Sequence, residues 1–265
     1  MKVHHLNCGT MRMPGARLVC HVLLVEAPSG LVLIDTGFGL LDIADPGHRL
    51  GPYRAVIRPA LVEEQTAIRQ IQALGFKPAD VRHILLTHGD TDHAGGLSDF
   101  PWAMVHVSAD EERAIRQRPT WLERQRYNAH QWAHEPTLIG HTPGSERWRG
   151  FEGVTPLEEV DSQILLVPLP GHTRGHSGIV LHDGDRFVLH AGDAYYHAGT
   201  LNGLSRPPLS LRLQEAAFTF DRRLMRENQA RLAELQSTND TDLLIVNAHD
   251  PNLLANVTQT RDPLS

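Results

Sequence analysis

The chain has 265 residues, a formal net charge of −6 and no basic run, which argues against nucleic-acid binding or anchoring on an anionic membrane. No apolar run reaches the ~20 residues of a membrane span, and MKVHHLNCGTMRMPG lacks the apolar core of a signal peptide, so the expectation is a cytoplasmic protein with a small-molecule partner. Cys8 and Cys20 are not at disulfide-scaffold or zinc-finger spacing; the unusual count is 17 histidines, the side chain that both binds metals and titrates near neutral pH.

In chain order, RLVCHVLLVEAP and SGLVLIDTGFG read as two strands joined by a Ser-Gly turn, the second ending at Asp35 beside Gly37 and Gly39. LVEEQTAIRQIQALGF reads as a helix with Ala67, Ile68, Ile71 and Leu74 on one face and Gly75 at its end. VRHILLTHGD and PWAMVHVS read as strands, and Ser108 followed by Glu111 fits a capping box at a helix start.

From about 119 to 153 the pattern loosens, and residues 108–153 are expected to form a helical insertion within one domain spanning 1–265. GIVLH, an Asp-Gly turn and RFVLHAGD predict a hairpin. SLRLQEAAFTFDRRLMRENQARLAEL predicts the longest helix, and DLLIVNAHDP a last strand. Strands in two groups, each followed by helices, fit two packed sheets with helices outside.

The densest chemistry is His88-Gly89-Asp90-Thr91-Asp92-His93. Side chains repeat with period two on an extended chain, which can aim His88, Asp90 and Asp92 the same way. His93 turns with the loop, and Gly95-Gly96 lets the backbone leave tightly. Imidazole with carboxylate suits zinc, iron or manganese. Three further candidates each end an apolar run: His172 after LLVPLPG, Asp193 after FVLHAG and His249 after LLIVNA. Seven such groups suffice for two metal ions sharing a bridging carboxylate.

THGDTDHAGG, PGHTRGHS, AGDA, NAHD and the early LIDTG together resemble the metallo-β-lactamase superfamily, over about Val19 to His249. The resemblance implies an α/β fold, a four-layer αββα sandwich, with metals in a cleft at one edge of the sheets. It implies one metal on His88 and His172, a second on Asp92, His93 and His249, and Asp193 as the bridge. Asp35 is implied as a supporting acid that orients ligands.

Asp90 departs from the family, which usually carries histidine there; a carboxylate at this place resembles the flavodiiron branch. Asp90 is therefore read as a ligand of the first metal. Two divalent ions are expected, zinc first, with iron or manganese admitted by Asp90.

Such a pair lowers the pKa of a shared water towards about 7 and polarises a carbonyl or phosphoryl oxygen. Tyr196, three residues past Asp193, is similar in placement to a tyrosine of the superfamily's N-acyl homoserine lactone lactonases. Catalytic roles accordingly fall on Asp92, Asp193 and Tyr196, and the expected reaction is hydrolysis of a lactone or carboxylic ester. The alternatives are an iron-dependent oxidoreductase of the same fold, a phosphotriesterase or a thioesterase. His4, His5, His48, His134 and His141 are expected at the surface, His176 as a brace for the His172 loop, and His21 in the core.

Overall fold

Two six-stranded sheets pack face to face in a computed structural model that describes residues 1–184 and 186–259. The first runs in chain order: β1 (Lys2–Met13), β2 (Ala16–Ala27), β3 (Gly30–Ile34), β4 (Val81–Leu85), β5 (Met104–Ser108) and β6 (Thr137–His141). β1 to β3 are antiparallel, and β3 to β6 are parallel. The second contains β7 (Glu146–Trp148), β8 (Phe151–Leu157), β9 (Asp161–Pro168), β10 (Ser177–Asp183), β11 (Arg186–His190) and β12 (Leu243–Val246). Its order is β12-β11-β10-β9-β8-β7, and only the β11–β12 pair is parallel.

The strands are apolar on both faces because both faces are covered. In β3, Val32 and Ile34 join the layer between the sheets, against Leu166, Ile179 and Val188 of the other sheet. Leu31 and Leu33 pack outward with Ala67 and Ile71 of the helix Ala67–Ala73. In β10, Ile179 and Leu181 face the middle layer, while Val180 packs outward with Leu232 and Leu235 of the helix Arg222–Ser237. The result is the expected αββα order of layers.

The boundaries depart from the sequence reading at specific places. β1 was not legible, because KVHHLNCGTMRM mixes histidine, asparagine and glycine into its apolar positions and bulges between Asn7 and Thr10. The first helix is shorter than expected: Glu63–Gln65 is a 3₁₀ turn, the helix runs Ala67–Ala73, and Leu74 is exposed. The longest pattern splits into Leu209–Phe218 and Arg222–Ser237, because the Asp221 carboxylate accepts from the Arg223 and Leu224 amides and starts a new helix.

Within 108–153, helices occupy only Ala109–Gln117 and Trp121–Arg126. After Arg126 the chain supplies the edge strand β6 and opens the second sheet with β7 and β8. No helix of the described residues is long and apolar enough to cross a membrane.

β3 and β4 end at Ile34 and Leu85, and β11 and β12 at His190 and Val246. Their following loops meet at one rim. The Ser177 amide donates to Thr87 O at 3.0 Å and the His21 amide to Ala248 O at 2.8 Å, joining the sheets there.

Candidate metal centre

Every one of the seven residues singled out in the sequence lies in one cluster at this rim. His88 Nε2 and His172 Nε2 stand 3.8 and 3.5 Å from Asp193 Oδ2. His93 Nε2 and His249 Nε2 stand 3.2 and 3.1 Å from Asp193 Oδ1. Asp193 thus touches both groups: His88 and His172 approach its Oδ2, His93 its Oδ1, and His249 Nε2 lies 3.1 Å from both oxygens. Asp92 Oδ2 completes the second group, 3.5 Å from His249 Nε2 and 4.0 Å from His93 Nε2. Asp90 Oδ2 lies beside the first, 3.1 Å from His172 Nε2 and 3.4 Å from His88 Nε2.

The backs of the rings fix which nitrogens point inward. Thr87 Oγ1 donates to Asp35 Oδ2 at 2.8 Å, so His88 Nδ1, at 3.0 Å, donates to Thr87 Oγ1. His93 Nδ1 donates to Asp35 Oδ2 at 2.8 Å, and His249 Nδ1 to Val19 O at 2.9 Å. These bonds turn Nδ1 of all three rings away from the cluster and aim Nε2 into it. His172 Nδ1 lies 3.3 Å from the hydroxyl of Tyr196, on the side turned away from Asp90. Tyr196 is buried, its ring against His172 and His249.

Asp35 sits at φ +58, uncommon for a residue with a Cβ. This turn at the tip of β3 carries its carboxylate to Thr87 and His93. His176 accepts the Asp193 amide at Nε2 (2.9 Å) and donates Nδ1 to Leu169 O (3.0 Å), so it braces the Asp193 backbone and the end of β9. A Cβ at Gly192, which has φ +51, would lie 2.6 Å from that same His176 Nε2. The approach requires glycine.

Charge and burial are in tension here. Burial pushes His88 down to about 4. Burial also opposes the charge on His93, but Asp193 and Asp35 overcome it and hold that ring's pKa well above the ordinary histidine value. Burial raises Asp92. His88 Nε2, His93 Nε2 and Asp193 Oδ1 are buried with no hydrogen-bond partner among the described residues. Unpartnered buried polar atoms cost free energy, and these converge with carboxylates at ligand-to-ligand separations. The donor set fits two divalent cations.

Two residues that the sequence reading missed hold the first half in place. Glu111 is fully buried. Ser108 Oγ accepts the Glu111 amide as a cap should, but the Glu111 carboxylate does not turn back to Ser108. Its Oε1 accepts from the Gly89 amide at 2.9 Å and the Tyr127 hydroxyl at 2.7 Å. Its Oε2 accepts from Thr173 Oγ1 at 2.6 Å and the Gly175 amide at 3.1 Å. One carboxylate therefore ties the His88–Asp90 loop to the His172 loop. Only its i+3 spacing from Ser108 was legible, and that spacing pointed to the cap. The second residue is Arg126, paired with Asp90 Oδ1 at 3.3 Å. Burial opposes the Asp90 charge, yet Arg126 and His88 hold its pKa well below the usual carboxylate range.

A cavity of about 890 Å³ adjoins this half, lined by Asp90, Thr91 and Arg126 together with Tyr53, Trp121, Leu122 and Phe218. Its volume is in the range of small-molecule sites.

The sequence pattern of the Metallo-beta-lactamase superfamily matches residues 15–236. A probable metallo-hydrolase of Mycobacterium tuberculosis is 53% identical over 253 residues, 96% of this chain and 81% of that protein. An N-acyl homoserine lactonase of Agrobacterium fabrum is 26% identical over 272 residues, 96% of this chain and 90% of that protein. Among solved structures, an N-acyl homoserine lactone hydrolase with N-hexanoyl-L-homoserine at its catalytic metal centre superposes with a TM-score of 0.68 at 20% identity, over 96% of this chain and 95% of that one.

Proposed function

The chain belongs to the metallo-β-lactamase superfamily as a metallo-hydrolase, and on that premise we propose that it hydrolyses a lactone or carboxylic ester with two divalent metal ions at the rim. The first would be held by His88, His172, Asp90 and Asp193. The second would be held by Asp92, His93 and His249, with Asp193 shared between the two. Zinc is the first choice for both. When bound, the pair supplies Lewis acidity and a water acidic enough to ionise near neutral pH.

The protein's own groups do the rest. Asp193 joins the two halves, since its carboxylate lies 3.1–3.8 Å from all four histidines, with His88 and His172 on Oδ2 and His93 on Oδ1; this is the observation that carries the reading. Asp92 places its carboxylate beside His249. Tyr196 keeps the His172 ring turned inward, its hydroxyl 3.3 Å from His172 Nδ1. The aromatic walls of the cavity exclude water from one side of the substrate and suit an apolar acyl group. The lactonase name of the Agrobacterium fabrum relative supports the ester-type substrate.

The test is a panel of lactones, aryl esters, phosphotriesters and thioesters offered to protein carrying two metal equivalents. Lactones or carboxylic esters should turn over fastest. Failure to cleave any of them would remove the reading.

Asp90 favours a second reading. Its Oδ2, 3.1 Å from His172 Nε2, adds a second hard oxygen donor to the first half, which suits iron or manganese and an oxidoreductase. Protein that takes up only zinc from mixed-metal medium excludes it.

A further inference from the structure

His83, His106 and His141 run diagonally across three adjacent strands. His83 pairs with Met104 and Leu85 with His106 between β4 and β5; His106 pairs with Ile139 and Ser108 with His141 between β5 and β6. Each histidine is therefore two residues further along its strand than its neighbour's partner, and a step of two keeps all three on one face. Glu159 comes from the other sheet, in the turn between β8 and β9. This group lies outside the rim cluster and shares no residue with it.

His106 Nδ1 and His141 Nε2 are 3.0 Å apart, and Glu159 Oε1 lies 3.9 Å from the first and 3.7 Å from the second. We propose that His106, His141 and Glu159 form a separate binding site for a zinc-type divalent cation, which pins the β5–β6 edge of one sheet to the β8–β9 turn of the other.

A hydrogen bond accounts for the His106–His141 spacing. It does not account for the carboxylate, which is too far from either nitrogen for a hydrogen bond. The separations instead bracket the ~3.3 Å between neighbouring ligands of a tetrahedral ion with bonds of about 2.0–2.1 Å. The Glu159 side chain is 46% exposed and free to swing by the few tenths of an ångström required.

The imidazoles are also prepared as ligands. Burial, with His141 and His83 nearby, lowers His106 to about 4, and burial lowers His141 as well, so both rings are neutral at neutral pH and each has one lone pair to offer a cation. The far nitrogen of His106, Nε2, lies 3.0 Å from His83 Nδ1. That is the kind of backing hydrogen bond that orients a ligand histidine and fixes its tautomer. Two imidazoles, one carboxylate and a fourth position open to water on the Glu159 side make a donor set suited to zinc. His141 was expected at the surface from the sequence; its side chain is only 10% exposed.

The experiment counts metal on the full chain. After equilibration at a fixed free zinc concentration, the parent should hold three equivalents by atomic emission. Glu159→Gln and His141→Asn should hold two, with at least tenfold weaker retention of the third against a competing chelator and with the hydrolytic rate unchanged. His93→Ala, which damages the rim cluster, should keep the ion on His106. Glu159→Gln alters only an exposed turn, so it remains informative if His141→Asn folds poorly. A parent with two equivalents, or a third equivalent held equally well by Glu159→Gln, overturns the proposal and leaves a hydrogen-bonded histidine row with an adventitious ion at most.

Discussion

Arg126 Nε lies 3.3 Å from Asp90 Oδ1, with only 4% of the arginine side chain and 14% of the aspartate side chain exposed. The same guanidinium donates to His172 O at 3.0 Å and to Phe218 O. Removing one partner of a buried pair strands the other charge, at a cost of roughly 3–5 kcal/mol. Arg126→Met should therefore lower the unfolding free energy of metal-free protein by about 3 kcal/mol. Arg126→Lys should recover less than half, because an ammonium cannot replace the guanidinium fork. Urea unfolding in the presence of a chelator measures both; a loss below about 1 kcal/mol would show that the pair carries little.

Glu111 acts on the same half through backbone and hydroxyl donors. Glu111→Gln presents an NH₂ group to sites that now receive donors, which breaks either the Gly89 and Tyr127 side or the Thr173 and Gly175 side. One of the two rim equivalents should then bind about 10–100-fold more weakly while the other is little changed. Asp35→Asn should weaken both equivalents, since Asp35 backs His93 directly and His88 through Thr87. Chelator competition followed by cobalt spectra distinguishes the halves. Equal weakening of both by Glu111→Gln would contradict its assignment to the first.

Asp193 is different because it serves both halves. Asp193→Ala should weaken both equivalents and lower kcat/KM by at least about 100-fold, corresponding to roughly 3 kcal/mol of transition-state stabilisation. Isothermal titration with zinc and steady-state kinetics on the best substrate of the panel test this. Retention of two tight equivalents would rule out a bridging role.

Asp99 gives a pH prediction away from the metals. Burial, with Asp42 nearby adding repulsion, raises its pKa to about 6, against the pull of the Leu40 amide. The folded state then holds a proton that the unfolded state has released between about pH 4 and pH 6, so stability falls as pH rises through that window. The contribution is at most about 3 kcal/mol. Asp99→Asn keeps an oxygen for the Leu40 amide and should flatten the slope over this range. Denaturant unfolding at pH 4.5 and 7 compares the two proteins; parallel curves would show that Asp99 does not titrate here.

How much of this was legible in the sequence follows from what each residue answers to. His88, Asp92, His93, His172, Asp193 and His249 sit in short motifs after apolar runs, so local pattern marked them as candidates and the family resemblance implied their common place at the sheet rim. The paired sheets were legible for a similar reason, since runs such as GLVLI and GIVL carry apolar residues on both faces.

Glu111 and Arg126 were not legible, because their partners lie far along the chain: Thr173 is 62 residues from Glu111 and His172 is 46 from Arg126. The Glu111 spacing even favoured a different local bond. β1 escaped notice because strand pairing, rather than its own composition, holds it. The strand character of 137–157 is likewise a matter of neighbours, since β6 has only β5 to pair with.

His88, Asp90, Asp92 and His93 hang from the sheet of β4, whereas Asp193 and His249 hang from β11 and β12 of the other. A cation gripped from both sides is a rivet through the sandwich. The halves would not shear or part without surrendering it, so loss of metal by a cell would leave a looser, more protease-sensitive body as well as a silent one.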